Sequence, residues 1–129
     1  MEKLVTILDA DQKQCSDLCC QLAERRFHGA PIHSLPDLKR HLLSSDCKTV
    51  IIDIDTVSVD NYSIKELTTK NPEVYFFCLS KDHFHPELKD VIGRHIYACI
   101  SKPVDPEELF FWFEAVHHNL NGSNGSSSA

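Results

Sequence analysis

The sequence has no long hydrophobic run, no excess of basic residues and no secretory signal, and each absence excludes a class of protein. None of the 129 residues lies in an apolar stretch near the roughly 20 residues that cross a bilayer. The net charge of −6, from 13 Lys and Arg against 19 Asp and Glu, argues against direct nucleic-acid binding. The N-terminus, MEKLVTILDADQ, reaches acidic residues too early for a signal peptide. We therefore expect a cytoplasmic protein without membrane contact.

Three kinds of site pattern are also missing. The six cysteines include no C-x2-C pair of a zinc site, and without a secretion signal we expect thiols rather than disulfides. No Gly-rich phosphate loop follows the first apolar run, where DADQKQ stands, which weighs against a nucleotide-binding or flavin-binding protein. No Ser–His or Cys–His nucleophile pattern is visible, so a hydrolase is also disfavoured.

Short apolar runs alternate with helical patterns along the chain, which is typical of βαβ units and a parallel sheet. The five predicted strands are KLVTILD, RFHGAPIH, KTVIID, EVYFFCLS and HIYACIS. Gly29 and Pro31 interrupt the second run, which places it at an edge of the sheet, whereas the continuous apolar fourth run predicts a central buried strand. Five strand–helix pairs predict a doubly wound α/β sandwich of three layers.

The predicted helices alternate with these strands. Asp11 can cap a helix to about Arg26, whose core-facing stripe is Cys15, Leu18, Cys19 and Leu22. The segment SLPD is a capping box for a second helix, and further helices are predicted over residues 62–70, over HPELKDVIG and over DPEELFFWFEAVHH.

The aromatic run 110–113 in the last helix points around most of the helix circumference, so we expect one or two of its side chains to be exposed. The folded domain is predicted to span residues 1–119. The Gly/Ser-rich segment 120–129 is predicted to be flexible, either a linker to a further domain or an appended remnant.

Polar side chains stand where four of the predicted strands end. In chain order they are Asp9, Asp11, Asp53, Asp55, Ser80, Ser101 and Lys102. Because the carboxyl ends of parallel strands meet at one edge of a sheet, we expect these side chains to converge. Carboxylates placed this close favour a neutralising cation, and hard oxygen ligands favour Mg²⁺, with Lys102 as a second positive charge.

The segments TILDAD, VIIDIDTVSVDN, FFCLS and CISKPVDPEEL resemble the motifs of the response-regulator receiver domain, the CheY-like family of two-component signalling. The resemblance covers about residues 3–119, and its most specific part is Lys-Pro after the fifth strand, followed by an acidic helix start. It implies a flavodoxin-like (βα)5 fold with a parallel sheet of order 2-1-3-4-5.

The resemblance implies a phosphorelay function with Asp53 as the phosphoacceptor. The phosphoryl donor would be a histidine kinase, a phosphotransfer protein or a small phosphodonor. Lys102 would pair with Asp53 and then with the phosphoryl group, and Ser80 would turn its hydroxyl to that group. A cis peptide bond before Pro103 is common in this family. The domain would be regulatory, with catalysis limited to its own phosphorylation and slow autodephosphorylation, and the last helix would form a homodimer or output surface.

The implied Mg²⁺ ligands are Asp9, Asp53 and the backbone carbonyl of Asp55, with Asp11 as a further candidate. Ala10 stands where the family normally has a second acidic residue, the usual direct metal ligand, so Mg²⁺ binding should be weakened. Two alternatives therefore stay open. Either Asp53 is phosphorylated, or the chain is a degenerate receiver that acts as a protein-interaction module without phosphorylation.

A second departure concerns the conformational switch of the family. Cys99 stands at the position of the usual switch aromatic, and Tyr97 precedes it by two residues on what should be the same face of the strand. The usual coupling between a serine and an aromatic side chain should therefore differ here.

Overall fold

The computed structural model describes residues 3–81 and 95–126, which form five strands and four helices. In chain order they are β1 Lys3–Leu8, α1 Gln12–Ala23, β2 Phe27–Ile32, α2 Leu35–Ser44, β3 Thr49–Asp53, α3 Asn61–Lys70, β4 Tyr75–Ser80, β5 Ala98–Ser101 and α4 Pro106–Ser126. The helix predicted over HPELKDVIG lies outside the described residues. The strands form one parallel sheet of order β2-β1-β3-β4-β5, which confirms the expected flavodoxin-like topology.

The centre of the sheet is its most buried part. All five residues of β3 are buried, and the first four, residues 49–52, are β-branched residues that favour a strand packed on both faces. Among the described strands, β2 pairs with β1 alone and therefore lies at the edge, as Gly29 and Pro31 predict. β4 lies between β3 and β5, which confirms the prediction of a central buried strand.

Helices cover both faces of the sheet and enclose two hydrophobic cores. On one face, α1 and α4 pack on the sheet through Leu22, Ile51, Phe77 and Phe113. On the other face, α2 and α3 pack on it through Leu38, Ile52, Ile64 and Phe76. The alternation of side chains along each strand divides the apolar residues between these cores, so the three-layer architecture follows directly from the strand pattern.

The side chains of Asp11, Ser34 and Asp60 cap three of the helices and fix where they begin. The carboxylate of Asp11 accepts the backbone N–H of Gln14, and the hydroxyl of Ser34 accepts that of Asp37, so both predicted caps are confirmed. Helix α1 ends at Ala23, earlier than the sequence pattern indicated, because residues 24–26 turn toward β2. The stripe predicted on α1 faces the core, with Cys15, Leu18 and Leu22 buried and Cys19 half-buried.

Helix α4 presents its aromatic run on several sides, as expected. Phe110 and Phe113 are buried, Trp112 is half-buried, and Phe111 is 63% exposed. The helix continues to Ser126 and so enters the segment 120–129 that composition predicts to be flexible. Helix propagation adds one hydrogen bond per residue and avoids the cost of nucleation, which explains how a long helix can extend into a poor helix-forming sequence. Among the described helices, none is both long and apolar enough to cross a membrane.

Replacing Phe77 by Ala should lower the free energy of unfolding by about 3–5 kcal/mol, because it leaves a cavity in the core beneath α1 and α4. Phe77 is fully buried, and its ring centroid lies 5.7 Å from that of Phe113. The matched control is Phe111→Ala on the exposed side of α4, for which a change of at most about 0.5 kcal/mol is expected. Urea unfolding measures both, and equal losses would contradict the assignment of the core.

Candidate functional site

The carboxyl ends of four strands bring four polar side chains to one edge of the sheet. Asp9 follows β1, Asp53 ends β3, Ser80 ends β4 and Lys102 follows β5. Asp9 and Asp53 are fully buried and Ser80 is 5% exposed, so these groups lie in the fold rather than in solvated loops. Because β1 is the strand from which the chain winds in both directions, this edge is where open α/β sheets bind ligands.

A buried ion pair forms the centre of the site. The ammonium group of Lys102 lies 2.5 Å from Asp53 Oδ2 and 3.1 Å from Asp55 Oδ2, and its side chain is only 8% exposed. Burial alone would lower the pKa of Lys102, but hydrogen bonds to Asp53 and Asp55 outweigh it and raise the pKa. The lysine is therefore a fixed positive charge beside the Asp53 carboxylate.

The carboxylate of Asp55 takes part in the site, although the family resemblance gave a role only to its backbone carbonyl. It accepts the hydroxyl proton of Ser80 at 3.2 Å and the backbone N–H of Lys81 at 2.9 Å. Partial burial would raise the pKa of Asp55, but the N–H of Lys81 and the ammonium of Lys102 lower it. Asp55 thus connects the end of β4 to the ion pair.

Backbone groups hold the other oxygen of Asp53. Its Oδ1 accepts the N–H of Asp55 at 3.0 Å and the N–H of Thr56 at 3.2 Å. These two bonds leave Oδ2 as the oxygen that faces Lys102. The loop after β3 therefore fixes which carboxylate oxygen points toward the cationic side of the site.

Asp9 is held by the first turn of α1 and by the loop after β3. Its Oδ1 accepts the backbone N–H of Asp11 at 2.8 Å and the hydroxyl of Thr56 at 2.9 Å. The same hydroxyl accepts the N–H of Ala10 at 3.1 Å, so Thr56 ties the loops after β1 and β3 together. Asp11, the further metal-ligand candidate, has its carboxylate engaged in capping α1.

Gln14 belongs to the site and was missed from the sequence. Its Nε2 donates to Asp9 Oδ2 and to Asp53 Oδ2, both at 2.6 Å, and its Oε1 accepts from Lys102 at 3.3 Å. The spacing Asp11-x-x-Gln14 was a usable signal, because it is typical of a capping box in which the glutamine binds the cap residue's N–H. Here Asp9 accepts that N–H instead, so the Gln14 amide reaches the carboxylates.

The donor set does not match a preformed magnesium site. Within residues 3–81 and 95–126 no group of three His, Cys, Asp or Glu side chains is arranged to hold a metal ion. Ala10 supplies no carboxylate, and the oxygens of Asp9 and Asp53 that face each other bind the amide hydrogens of Gln14. An amide N–H group is a donor and cannot ligate a cation. Binding of Mg²⁺ at Asp9 and Asp53 would first require Gln14 to move.

The residues proposed as a switch, Tyr97 and Cys99, contact different faces of the sheet. Tyr97 makes edge contacts with Phe77 and Trp112, on the face covered by α1 and α4. Cys99 is exposed and pairs in register with Cys78, which belongs to the opposite core. The expectation of a shared face is therefore wrong, because β5 begins only at Ala98 and strand alternation does not extend back to residue 97.

Two further features concern Cys99 in β5 and Pro103 after it. The hydrogen bond from the Cys78 thiol lowers the pKa of Cys99. The peptide bond between Lys102 and Pro103 is cis, as the family resemblance implied.

Replacing Lys102 by Met should lower the free energy of unfolding at neutral pH by about 3–5 kcal/mol, because it leaves the buried Asp53 charge without its cation. The loss should shrink as pH falls below about 4, the ordinary pKa of an aspartate, because the Asp55 carboxylate that pairs with Lys102 in the wild type then becomes protonated. The wild-type contribution of Asp55, whose pKa is lowered, is lost in the same direction. The control is Lys81→Met, whose exposed side chain should matter little. A loss independent of pH in chemical denaturation would contradict this reasoning.

Comparison with known proteins identifies the fold to which this structure is similar. No protein-family model and no curated protein matches the sequence. Among solved structures, the chain is similar to the signal receiver domain of an HD domain-containing protein from Pseudomonas fluorescens Pf-5, with a TM-score of 0.82 and 16% identity over 96% of this chain and 93% of that one. It is also similar to the CheY-like receiver domain from Methylobacillus flagellatus, with a TM-score of 0.76 and 15% identity over 90% of this chain and 99% of that one.

A third neighbour is the CheY-like receiver domain protein from Methanospirillum hungatei JF-1, with a TM-score of 0.81 and 13% identity over 94% of this chain and 98% of that one. At these identities the likeness concerns the backbone and its topology. The parallel order β2-β1-β3-β4-β5 agrees with this likeness. The chain has the fold of the CheY-like receiver domains of response regulators.

Proposed function

We propose that the chain is a receiver domain of phosphorelay signalling and that Asp53 accepts a phosphoryl group from a histidine kinase, a phosphotransfer protein or a small phosphodonor. The observation that carries the proposal is the buried contact of 2.5 Å between Asp53 Oδ2 and the ammonium of Lys102. A nucleophilic carboxylate held against a fixed cation is what phosphoryl transfer to an aspartate requires. The receiver-domain fold supports a regulatory role of this general kind.

In the proposed transfer, an Asp53 oxygen attacks the phosphorus of a phosphohistidine. A P–O bond forms while the P–N bond breaks, and the electron pair of that bond returns to the donor imidazole. Lys102 neutralises charge on the transferred oxygens because it already contacts the attacking carboxylate. The N–H groups of Asp55 and Thr56 keep Oδ1 in place, so Oδ2 is the oxygen presented to the donor.

Ser80 is the group we propose to respond to phosphorylation. Its hydroxyl donates to Asp55 in the unmodified site, and a phosphoryl group on Asp53 would offer it a stronger acceptor.

Helix α4 is the proposed output and homodimer surface, because Phe111 is 63% exposed there beside the half-buried Trp112.

A second candidate function is a degenerate receiver that binds partners without phosphorylation. Two observations favour it. Ala10 removes an acidic ligand, and Gln14 donates to the oxygens of Asp9 and Asp53 that a cation would need. The two candidates share the fold and differ in whether Asp53 is chemically modified.

Incubation with phosphoramidate or acetyl phosphate should add one phosphoryl group to the wild type, detected by intact mass and located on Asp53 by peptide mapping. Asp53→Asn should gain none, because an amide cannot form an acyl phosphate. Lys102→Ala should slow the addition by about 10²–10³-fold, the usual cost of removing one electrostatic stabiliser. If the wild type gains no phosphoryl group with or without Mg²⁺, the degenerate receiver is the function.

Replacing Ala10 by Asp should raise Mg²⁺ affinity about tenfold or more, because it supplies a third carboxylate beside Asp9 and Asp53. Isothermal titration measures the affinity. The matched control is Ala23→Asp at the exposed end of α1, which adds the same charge away from the site and should leave the affinity unchanged. Equal affinities for the two variants would show that position 10 does not face a cation site.

A further inference from the structure

We propose that Gln14 is a positioning residue that takes the place of a divalent cation between the carboxylates of Asp9 and Asp53. A side-chain amide has two N–H donors on one nitrogen, and here each contacts a different carboxylate at 2.6 Å. The amide oxygen accepts from Lys102 at 3.3 Å. Gln14 therefore contacts both negative charges and the positive charge that meet at this edge of the sheet.

The two carboxylates need such a bridge because both are fully buried. In each of them Oδ1 is already bound by donors of the neighbouring loops, so Oδ2 is the oxygen that contacts the Gln14 amide. Two buried carboxylates repel each other unless a cation or a hydrogen-bond donor stands between them. Lys102 forms its ion pairs with Asp53 and Asp55, whereas Gln14 contacts both Asp9 and Asp53.

The first turn of α1 holds Gln14 in this position. Its backbone N–H is bound by the capping carboxylate of Asp11 at 3.0 Å, and the next residue, Cys15, is buried in the core. The backbone of Gln14 is thus fixed on both sides, which reduces the conformational entropy lost when its amide binds the carboxylates.

The space beside Gln14 allows the amide to leave. A cavity of about 430 Å³ is lined by Gln14, Gln21, Lys81 and Lys102, among others. Because Gln14 lines the cavity and also contacts Asp53, rotation of its side chain into the cavity would remove the amide from Asp53 Oδ2 and leave Lys102 in contact with that oxygen. The rotation of Gln14 rests on the proposed function, since it matters only if Asp53 is phosphorylated.

The bridge is tested by the midpoint of thermal unfolding, Tm, in EDTA and then in excess Mg²⁺. The wild type should show little change in Tm between the two, because a ligand that binds the folded state only weakly stabilises it little. Gln14→Glu keeps the size of the side chain but replaces the donors by a carboxylate. Its Tm in EDTA should fall by on the order of 10 °C, and Mg²⁺ should restore most of the loss.

Two further variants separate the bridge from a general effect on α1. Gln14→Ala should also become less stable in EDTA and respond to Mg²⁺, but less than Gln14→Glu because it supplies no ligand. Gln12→Ala, which changes an exposed glutamine in the same turn, should behave as the wild type does. If Mg²⁺ raises the Tm of the wild type as much as that of Gln14→Glu, or if Gln14→Glu keeps the wild-type Tm in EDTA, the bridge proposal is wrong.

The rotation of Gln14 has its own measurement. In saturating Mg²⁺, Gln14→Ala should take up the phosphoryl group from acetyl phosphate several-fold faster than the wild type, because no amide has to leave Asp53. An unchanged or slower rate would contradict the rotation. The thermal measurements use no phosphodonor. They therefore test whether Gln14 replaces a cation even if Asp53 is never phosphorylated.

Discussion

A negative charge buried at the end of β3 requires a positive charge beside it, and this requirement organises the polar edge of the sheet. Asp53 has no exposed surface, and an uncompensated carboxylate in such a position would strongly destabilise the fold. Lys102 reaches it from β5, across the end of β4, and the backbone N–H of Lys102 binds the carbonyl of Ser80 at 3.0 Å. The ion pair thus connects the ends of three neighbouring strands, β3, β4 and β5.

Much of the fold could be predicted because its signals are local and periodic. The apolar run 50–52 predicts a buried strand, and Pro31 predicts an edge strand. Neither prediction depends on the rest of the chain. The convergence of Asp9, Asp53 and Lys102 then follows from topology alone, since all parallel strands end at the same edge. The family resemblance and the convergence of parallel strands at one sheet edge therefore indicate the same residues independently.

What the sequence could not provide is the partner of each polar side chain. Gln14 is 39 positions from Asp53, and their contact depends on the rotamers that α1 and β3 allow once packed. The carboxylate of Asp55 turned toward Ser80 for the same kind of reason, because the loop after β3 places it against the end of β4. Tyr97 shows a different limit: strand alternation predicts a face only inside the strand, and β5 starts one residue later.

The position of Pro31 has a consequence for the behaviour of the protein at high concentration. An edge strand offers peptide groups to which a strand of another molecule can add, and this is a common beginning of aggregation. Proline removes one donor from such an edge, and β2 carries it in the penultimate position of six residues. Strand addition along β2 is thus hindered near the end of the edge, which lowers the tendency of the folded protein to aggregate through a growing sheet.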